Sequence, residues 1–231
     1  MIKAILSFTA IAAMTLPAHA VTVVQWDFEN APADLSNSTA SPVVAASLGV
    51  GAASGVHTSS ATDWTTPTGN GSANALSSNT WGVGDYYQFS FGTLGYGDML
   101  LSFDQTSSST GPRDFTLAYS TNGSSFTTFA SYAVLVNGSP NPSWSSSTYN
   151  SVFSYSFDLS ALAALDNQAA VVVRLIDSST VATNGGVVAA GGTDRIDNFT
   201  VVLSAVPEPG TYAMLLAGLA ALGFMVRRRQ G

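Results

Sequence analysis

The segment Asp114-Phe115-Thr116-Leu117-Ala118-Tyr119-Ser120-Thr121-Asn122-Gly123-Ser124-Ser125-Phe126-Thr127 decides the fold class. Phe115, Leu117 and Tyr119 alternate with Thr116 and Ala118, so the large apolar side chains share one face of an extended strand. Asn122-Gly123 is a tight-turn signal, and Ser125-Phe126-Thr127 starts the return strand. Similar short runs lie on both sides: Val21–Phe28, Tyr86–Phe91, Met99–Phe103, Phe126–Phe129, Tyr132–Val136, Val152–Phe157, Ala170–Ile176 and Ile196–Leu203. Gly111-Pro112, Val136-Asn137-Gly138 and Asn184-Gly185-Gly186 separate them. About nine strands with this punctuation predict an all-β protein, an antiparallel β-sandwich of the jelly-roll kind. The run from Ala170 to Val173 is apolar on both faces, as in a central strand. Arg174 ends it, either as an outward residue or as a buried partner for a carboxylate. The best helical stretch, Ser160–Asn167, is short.

From Ala31 to Thr80 the pattern weakens. Aromatic residues are few, small and polar residues are many, and one or two strands around Val43–Val50 are expected among long loops. The stretch is too poor in large apolar residues to build a core of its own, so it belongs to the same domain.

The two ends read as addresses. Lys3, an apolar run from Ala4 to Leu16, and Ala18-His19-Ala20 form a secretory signal peptide over residues 1–20, with cleavage after Ala20. At the other end, Pro207-Glu208-Pro209-Gly210 precedes an apolar stretch from Tyr212 to Val226 and then Arg227-Arg228-Arg229. That stretch is shorter than the ~20 residues of a permanent membrane span. The arginines would stay on the cytoplasmic side. The expected domains are therefore the signal peptide, a sandwich over 21–205 and a tail over 206–231.

Between Val21 and Val206 the chain keeps three basic residues, Arg113, Arg174 and Arg195, against thirteen acidic ones, a net charge of −10. That excludes a nucleic-acid binder held by phosphate contacts. It favours divalent cations over anionic polymers. The chain has no cysteine, which removes disulfides, thiolate metal sites and cysteine nucleophiles. Beyond the signal peptide there is one histidine, His57, set in the Gly/Ser-rich stretch without a Gly-x-Ser-x-Gly motif, so it reads as a loop residue.

The tail resembles the PEP-CTERM sorting tail of Gram-negative bacteria in all three parts: Val206-Pro207-Glu208-Pro209, a short apolar helix and a terminal arginine cluster. The resemblance implies export across the inner membrane and transient anchoring there through the helix. It also implies processing by the membrane protease-transpeptidase exosortase near Pro-Glu-Pro. The strings Leu101–Asp104, Ser109–Pro112, Phe115–Ser120 and Arg195–Val201 resemble the lectin-like or carbohydrate-binding-module-like jelly rolls found ahead of such tails. Those imply association with polysaccharide.

Two site expectations follow. Calcium takes six to eight hard oxygen ligands. Asp27 and Glu29 share a face of the first strand, and Asp197 on the last strand could lie beside them, as the jelly-roll resemblance implies for a structural calcium. The alternatives are that Asp27 or Glu29 pairs with Arg195, or that all of them are solvated. For sugar, Trp64, Trp81 and Trp144 sit in polar surroundings, alongside Tyr86, Tyr87 and Tyr96, and would supply stacking faces or else cap the core. No carboxylate pair carries a glycosidase motif. The sequence therefore predicts a non-enzymatic surface or matrix protein of a biofilm-forming bacterium, associated with extracellular polysaccharide. A polysaccharide hydrolase or lyase and a self-associating structural subunit are the alternatives.

Overall fold

A computed structural model describes residues 20–32, 34–206 and 209–229. Twelve strands form two antiparallel sheets: β1 (Ala20–Trp26), β2 (Val44–Ala45), β3 (Gly51–Val56), β4 (Trp64–Thr65), β5 (Leu76–Ser78), β6 (Tyr86–Phe91), β7 (Tyr96–Ser107), β8 (Asp114–Ser120), β9 (Thr127–Ala133), β10 (Ser154–Asp158), β11 (Val171–Asp177) and β12 (Asp194–Ala205). The first sheet runs β10-β7-β12-β5-β4 with β1 also paired to β12; the second runs β2-β3-β6-β11-β8-β9. A helix, α1, follows over Pro209–Arg229.

Alternation places the core. Tyr87, Phe89 and Phe91 of β6 and Val171, Val173 and Leu175 of β11 point inward from the second sheet. They meet Met99, Leu101 and Phe103 of β7 and Phe199, Val201 and Leu203 of β12. Phe89 stacks on Phe199 across the sheets, with centroids 3.6 Å apart and planes within 6°. Each fully buried side chain of this kind contributes about 1.5–3 kcal/mol of hydrophobic stabilisation.

The sandwich stands, but its strands are twelve rather than about nine. The runs 126–129 and 132–136 are one strand, β9, and Ser160–Asn167 holds only a single 3₁₀ turn at Ala163–Leu165. The 31–80 stretch contributes four strands. Its inward positions on β3 are Ala53 and Gly55, and the bulk facing Gly55 comes from a tryptophan. A Cβ on Gly55 would stand 2.2 Å from the Trp64 ring, and one on Gly51 2.6 Å from Trp26. Gly55→Ala is therefore expected to lower stability by about 1–3 kcal/mol through overpacking, read as a lower urea midpoint; a midpoint equal to wild type would show that the Trp64 ring moves freely.

His57 lies in a loop, as expected, but is part of the core. It follows β3 directly, is 3% exposed, and packs between Trp64 and Trp81 with centroids 4.7 and 4.3 Å away.

Candidate functional site

The three tryptophans chosen as sugar platforms are buried. Trp64 and Trp81 are 1% and 6% exposed, and their indole N–H groups donate to Ser38 O at 3.0 Å and Ser78 O at 3.1 Å. Trp144, 6% exposed, fills a small satellite cluster with Ala75 and Phe153. None presents a free face. They pack inside because the residues opposite them, such as Gly55 and Ala75, are too small to fill the space themselves.

The carboxylates proposed for calcium are not gathered. Among the described residues no group of three or more His, Cys, Asp or Glu side chains lies close enough to hold a metal ion. Each carboxylate accepts from protein groups of its own surroundings instead. Asp27 Oδ1 accepts from Glu29 N at 3.2 Å, and Glu29 Oε1 accepts from Asn74 N at 2.9 Å. Asp197 accepts from Asn70 N, Ser72 Oγ and Asn198 N at 2.9, 2.6 and 2.7 Å. Neither Asp27 nor Glu29 pairs with Arg195, which donates to Thr68 O at 3.5 Å.

His57 stands in an order that looks catalytic. Its Nε2 is 3.3 Å from Ser78 Oγ, and its Nδ1 is 3.1 Å from Thr62 Oγ1 and 3.6 Å from Asp85 Oδ2. Burial lowers its pKa to about 4, against the opposing pull of Asp85. All four residues are at most 3% exposed and lie beneath Trp64 and Trp81, so no substrate reaches the serine. The network ties β3, β5 and the loop before β6 together.

The open polar site lies elsewhere, on the outer face of the first sheet. Asp197 pairs with Asp104 across β12 and β7, and Thr200 next pairs with Ser102. Three steps on β12 match two on β7, a β-bulge, and Asn198 takes φ +50°, a conformation asparagine tolerates better than most residues. The bulge turns Asn198 Nδ2 onto Asp104 Oδ2 at 2.8 Å. The other oxygen of Asp104 accepts from Ser154 Oγ on β10. Asp104, Tyr149, Ser154, Asn198 and Thr200 line a hollow of about 180 Å³. Tyr149 is 57% exposed, and its hydroxyl lies 2.7 Å from Ser154 Oγ.

Asp197 supports this hollow from the side. It fixes Asn70 N, and Asn70 exchanges two bonds with Asn150: Nδ2 to Asn150 O at 3.1 Å and Oδ1 from Asn150 N at 2.9 Å. Gly71 at φ +81° donates to Ser145 O, and a Cβ there would meet Tyr149 at 3.1 Å. The chain of bonds therefore runs from the bulge to the backbone beside Tyr149. Burial, reinforced by Asp104, raises the Asp197 carboxyl to about 7, although its three donors pull it down. Asp197 was legible in the sequence; Tyr149, in a Ser/Thr-rich loop without pattern, was not.

The tail and the search for relatives complete the picture. Strand β12 ends at Ala205, and α1 begins at Pro209. Ala20 opens β1, paired with Ser204, whereas Ala18, Pro207 and Glu208 lie outside the described residues. Arg227 and Arg228 are exposed on α1, and Pro209 and Arg229 are its end residues. Residues 205–229 match the family model described as the PEP-CTERM protein-sorting motif. The chain carries a PEP-CTERM sorting motif. The PEP-CTERM motif marks an exported protein sorted through the membrane. Among the described residues no helix is long and apolar enough to cross a membrane. No curated protein matches the chain. Solved structures similar to it include the K3 cleaved adhesin domain of Lys-gingipain from Porphyromonas gingivalis W83, at 13% identity over 78% of this chain and 98% of that one, TM-score 0.41. Another is TmCBM61 in complex with β-1,4-galactotriose, at 11% identity over 65% and 86%, TM-score 0.34. At these values the likenesses decide nothing about ligand or activity.

Proposed function

We propose that this PEP-CTERM protein works at the cell surface or in the matrix, where it holds extracellular polysaccharide without cleaving it. The observation that carries the reading is the exposed Tyr149 lining one hollow with Asp104, Asn198 and Ser154. Sugars dock on an aromatic face while fixed amide and hydroxyl groups take their hydroxyls; here the buried Asp104 holds Asn198 and Ser154 in place. At about 180 Å³ the hollow is small for a ligand pocket and suits a single sugar ring. Its polar groups are pre-oriented by the bulge and by β10, so little ordering cost falls on binding.

The same geometry supports a binding role over hydrolysis. A glycosidase flanks the scissile bond with two carboxyl groups. Here Asp104 and Asp197 are both buried, at 2% and 0% exposed, and both are occupied by protein donors: Asp104 by Ser154 Oγ and Asn198 Nδ2, Asp197 by three. A site of one ring gives weak contacts, and many copies on a surface would give avidity. Exosortase acting at the tail would deliver the sandwich to that surface.

Tyr149→Ala tests the reading. Retention of the full chain in gels cast with neutral matrix polysaccharide is expected to fall about tenfold, the loss of roughly 1.4 kcal/mol of stacking. Retention equal to wild type would remove the hollow from the function.

A further inference from the structure

We propose a second binding site on the outer face of the other sheet, where Arg174 takes the carboxylate of an acidic, uronate-bearing polysaccharide. Alternation on β11 sends Arg174 outward, beside Gln88 of β6 and Ala118 of β8. The guanidinium is clamped on both faces. Its Cζ lies 4.0 Å from the Tyr86 ring centroid and 3.8 Å from that of Phe126, which the β8–β9 hairpin folds over the sheet. Arg174 Nε donates to Gln88 Oε1 at 2.8 Å. Among the described residues its two terminal amino groups have no protein acceptor, and no carboxylate forms an ion pair with it.

This placement is unusual for the molecule. The sandwich carries thirteen acidic residues and three arginines. Arg113 is bound to Asp114 at 2.8 Å, and Arg195 is part-buried. Among the described residues Arg174 has no carboxylate partner and keeps its terminal amino groups free on an outer face. The outward positions of β3, β6 and β11 carry no Asp or Glu, and the outward Asp114 at the start of β8 is neutralised by Arg113. The net charge of −10 therefore does not reach this face as a local field; at physiological salt, charges more than about 8 Å away are largely screened.

The geometry selects the ligand. Two rings block approach to the guanidinium faces, and Gln88 occupies the Nε edge. What remains is the in-plane, end-on edge with two parallel N–H groups, which matches the two oxygens of a planar carboxylate. Ser54 and Ser90, outward on neighbouring strands, stand where sugar hydroxyls would follow. The site is distinct from the hollow at Tyr149 and lies on the opposite sheet.

The test uses the full chain in detergent micelles, run in gels cast with polygalacturonate, alginate or methyl-esterified polygalacturonate. Esterification keeps the sugar and masks the carboxylate. Wild type is expected to be retarded by the two free polyuronates and much less by the ester. Arg174→Gln should weaken that retardation by about tenfold or more. Arg174→Lys, which keeps the charge but loses the fork, should still fall several-fold short. Tyr149→Ala should leave the difference between free and esterified polymer unchanged, so failure of the hollow and failure of this face are separable. Arg174→Gln or Arg174→Lys binding polygalacturonate like wild type would overturn the proposal. So would equal retention by the ester, or no retention by either polyuronate.

Discussion

Phe199→Ala is expected to destabilise the sandwich by about 3–5 kcal/mol, the range for emptying a large buried aromatic site. At 2–4 °C per kcal/mol for a chain of this size, the melting temperature should fall by about 6–20 °C. The magnitude comes from position. Phe199 is 0% exposed, lies face to face with Phe89 of the opposite sheet, and packs against Trp26 and Phe103 at 5.8 Å each. It also sits one residue past Asn198, so the cavity opens beneath the bulge that shapes the hollow. Collapse of the neighbouring rings would reduce the loss. A loss under about 1 kcal/mol in urea unfolding would mean that the inter-sheet stack does not hold the sheets together.

The second large effect is on pH. Asp177 and Asp197 have carboxyls raised to about 7, and Asp194 is raised well above the usual carboxylate range, in each case chiefly by burial. Asp194 is held only by neutral donors, Gln105 Nε2 at 2.9 Å and Ser107 Oγ at 2.7 Å. Asp177 Oδ2 is buried without a partner, which fits a protonated acid. An Asp whose folded pKa exceeds the unfolded value of about 3.9 keeps its proton in the native state after the unfolded chain has lost it. Stability then falls as pH rises from about 4 upward, continuing through pH 7 for Asp177 and Asp197. His57 acts with the opposite sign. Its folded pKa of about 4 lies below the unfolded 6.5, so its contribution is lost as pH falls through that window. Three carboxyls outweigh one imidazole.

The melting temperature is thus expected to be higher at pH 5 than at pH 8, with on the order of 2–3 kcal/mol, or about 4–12 °C, between them. Asp177→Asn should shrink that difference. A melting temperature that is flat or rises from pH 5 to pH 8 would contradict protonated buried carboxyls.

How much of this the sequence revealed depends on where the bulk in each strand comes from. Tyr86-Tyr87-Gln88-Phe89-Ser90-Phe91 carries its own large inward residues, and its strand bounds are the ones the alternation gives. The Asn122-Gly123 turn is likewise local chemistry, with Gly123 at φ +71°. Strand β3 is the opposite case. Its inward Gly55 leaves room for the ring of Trp64, so the hydrophobic signal of one strand is carried by a residue of another. The same displacement hid the burial of Trp64, Trp81 and His57, the last two of which lie in loops. Such long-range complementarity leaves no period to read.

The site divides in the same way. Asp197-Asn198 on the last strand was visible as a polar interruption of an apolar run. Its partner Asp104 was visible only as part of Ser102-Phe103-Asp104. That the two pair across a bulge follows from sheet register, which turn and strand patterns do not fix at that distance. Tyr149 owes its position to the Asn70–Asn150 bonds, made 80 residues apart. Arg174 was seen as a break in β11, but the Phe126 ring that covers it comes from a hairpin tip.

The most direct measurement is an NMR amide-shift map of the chain titrated with a neutral oligosaccharide cut from the host's own matrix polysaccharide. Binding at the hollow predicts saturable shifts centred on Tyr149, Ser154, Asn198 and Thr200, absent in Tyr149→Ala. No shifts at millimolar sugar, or shifts centred away from those residues, would contradict it.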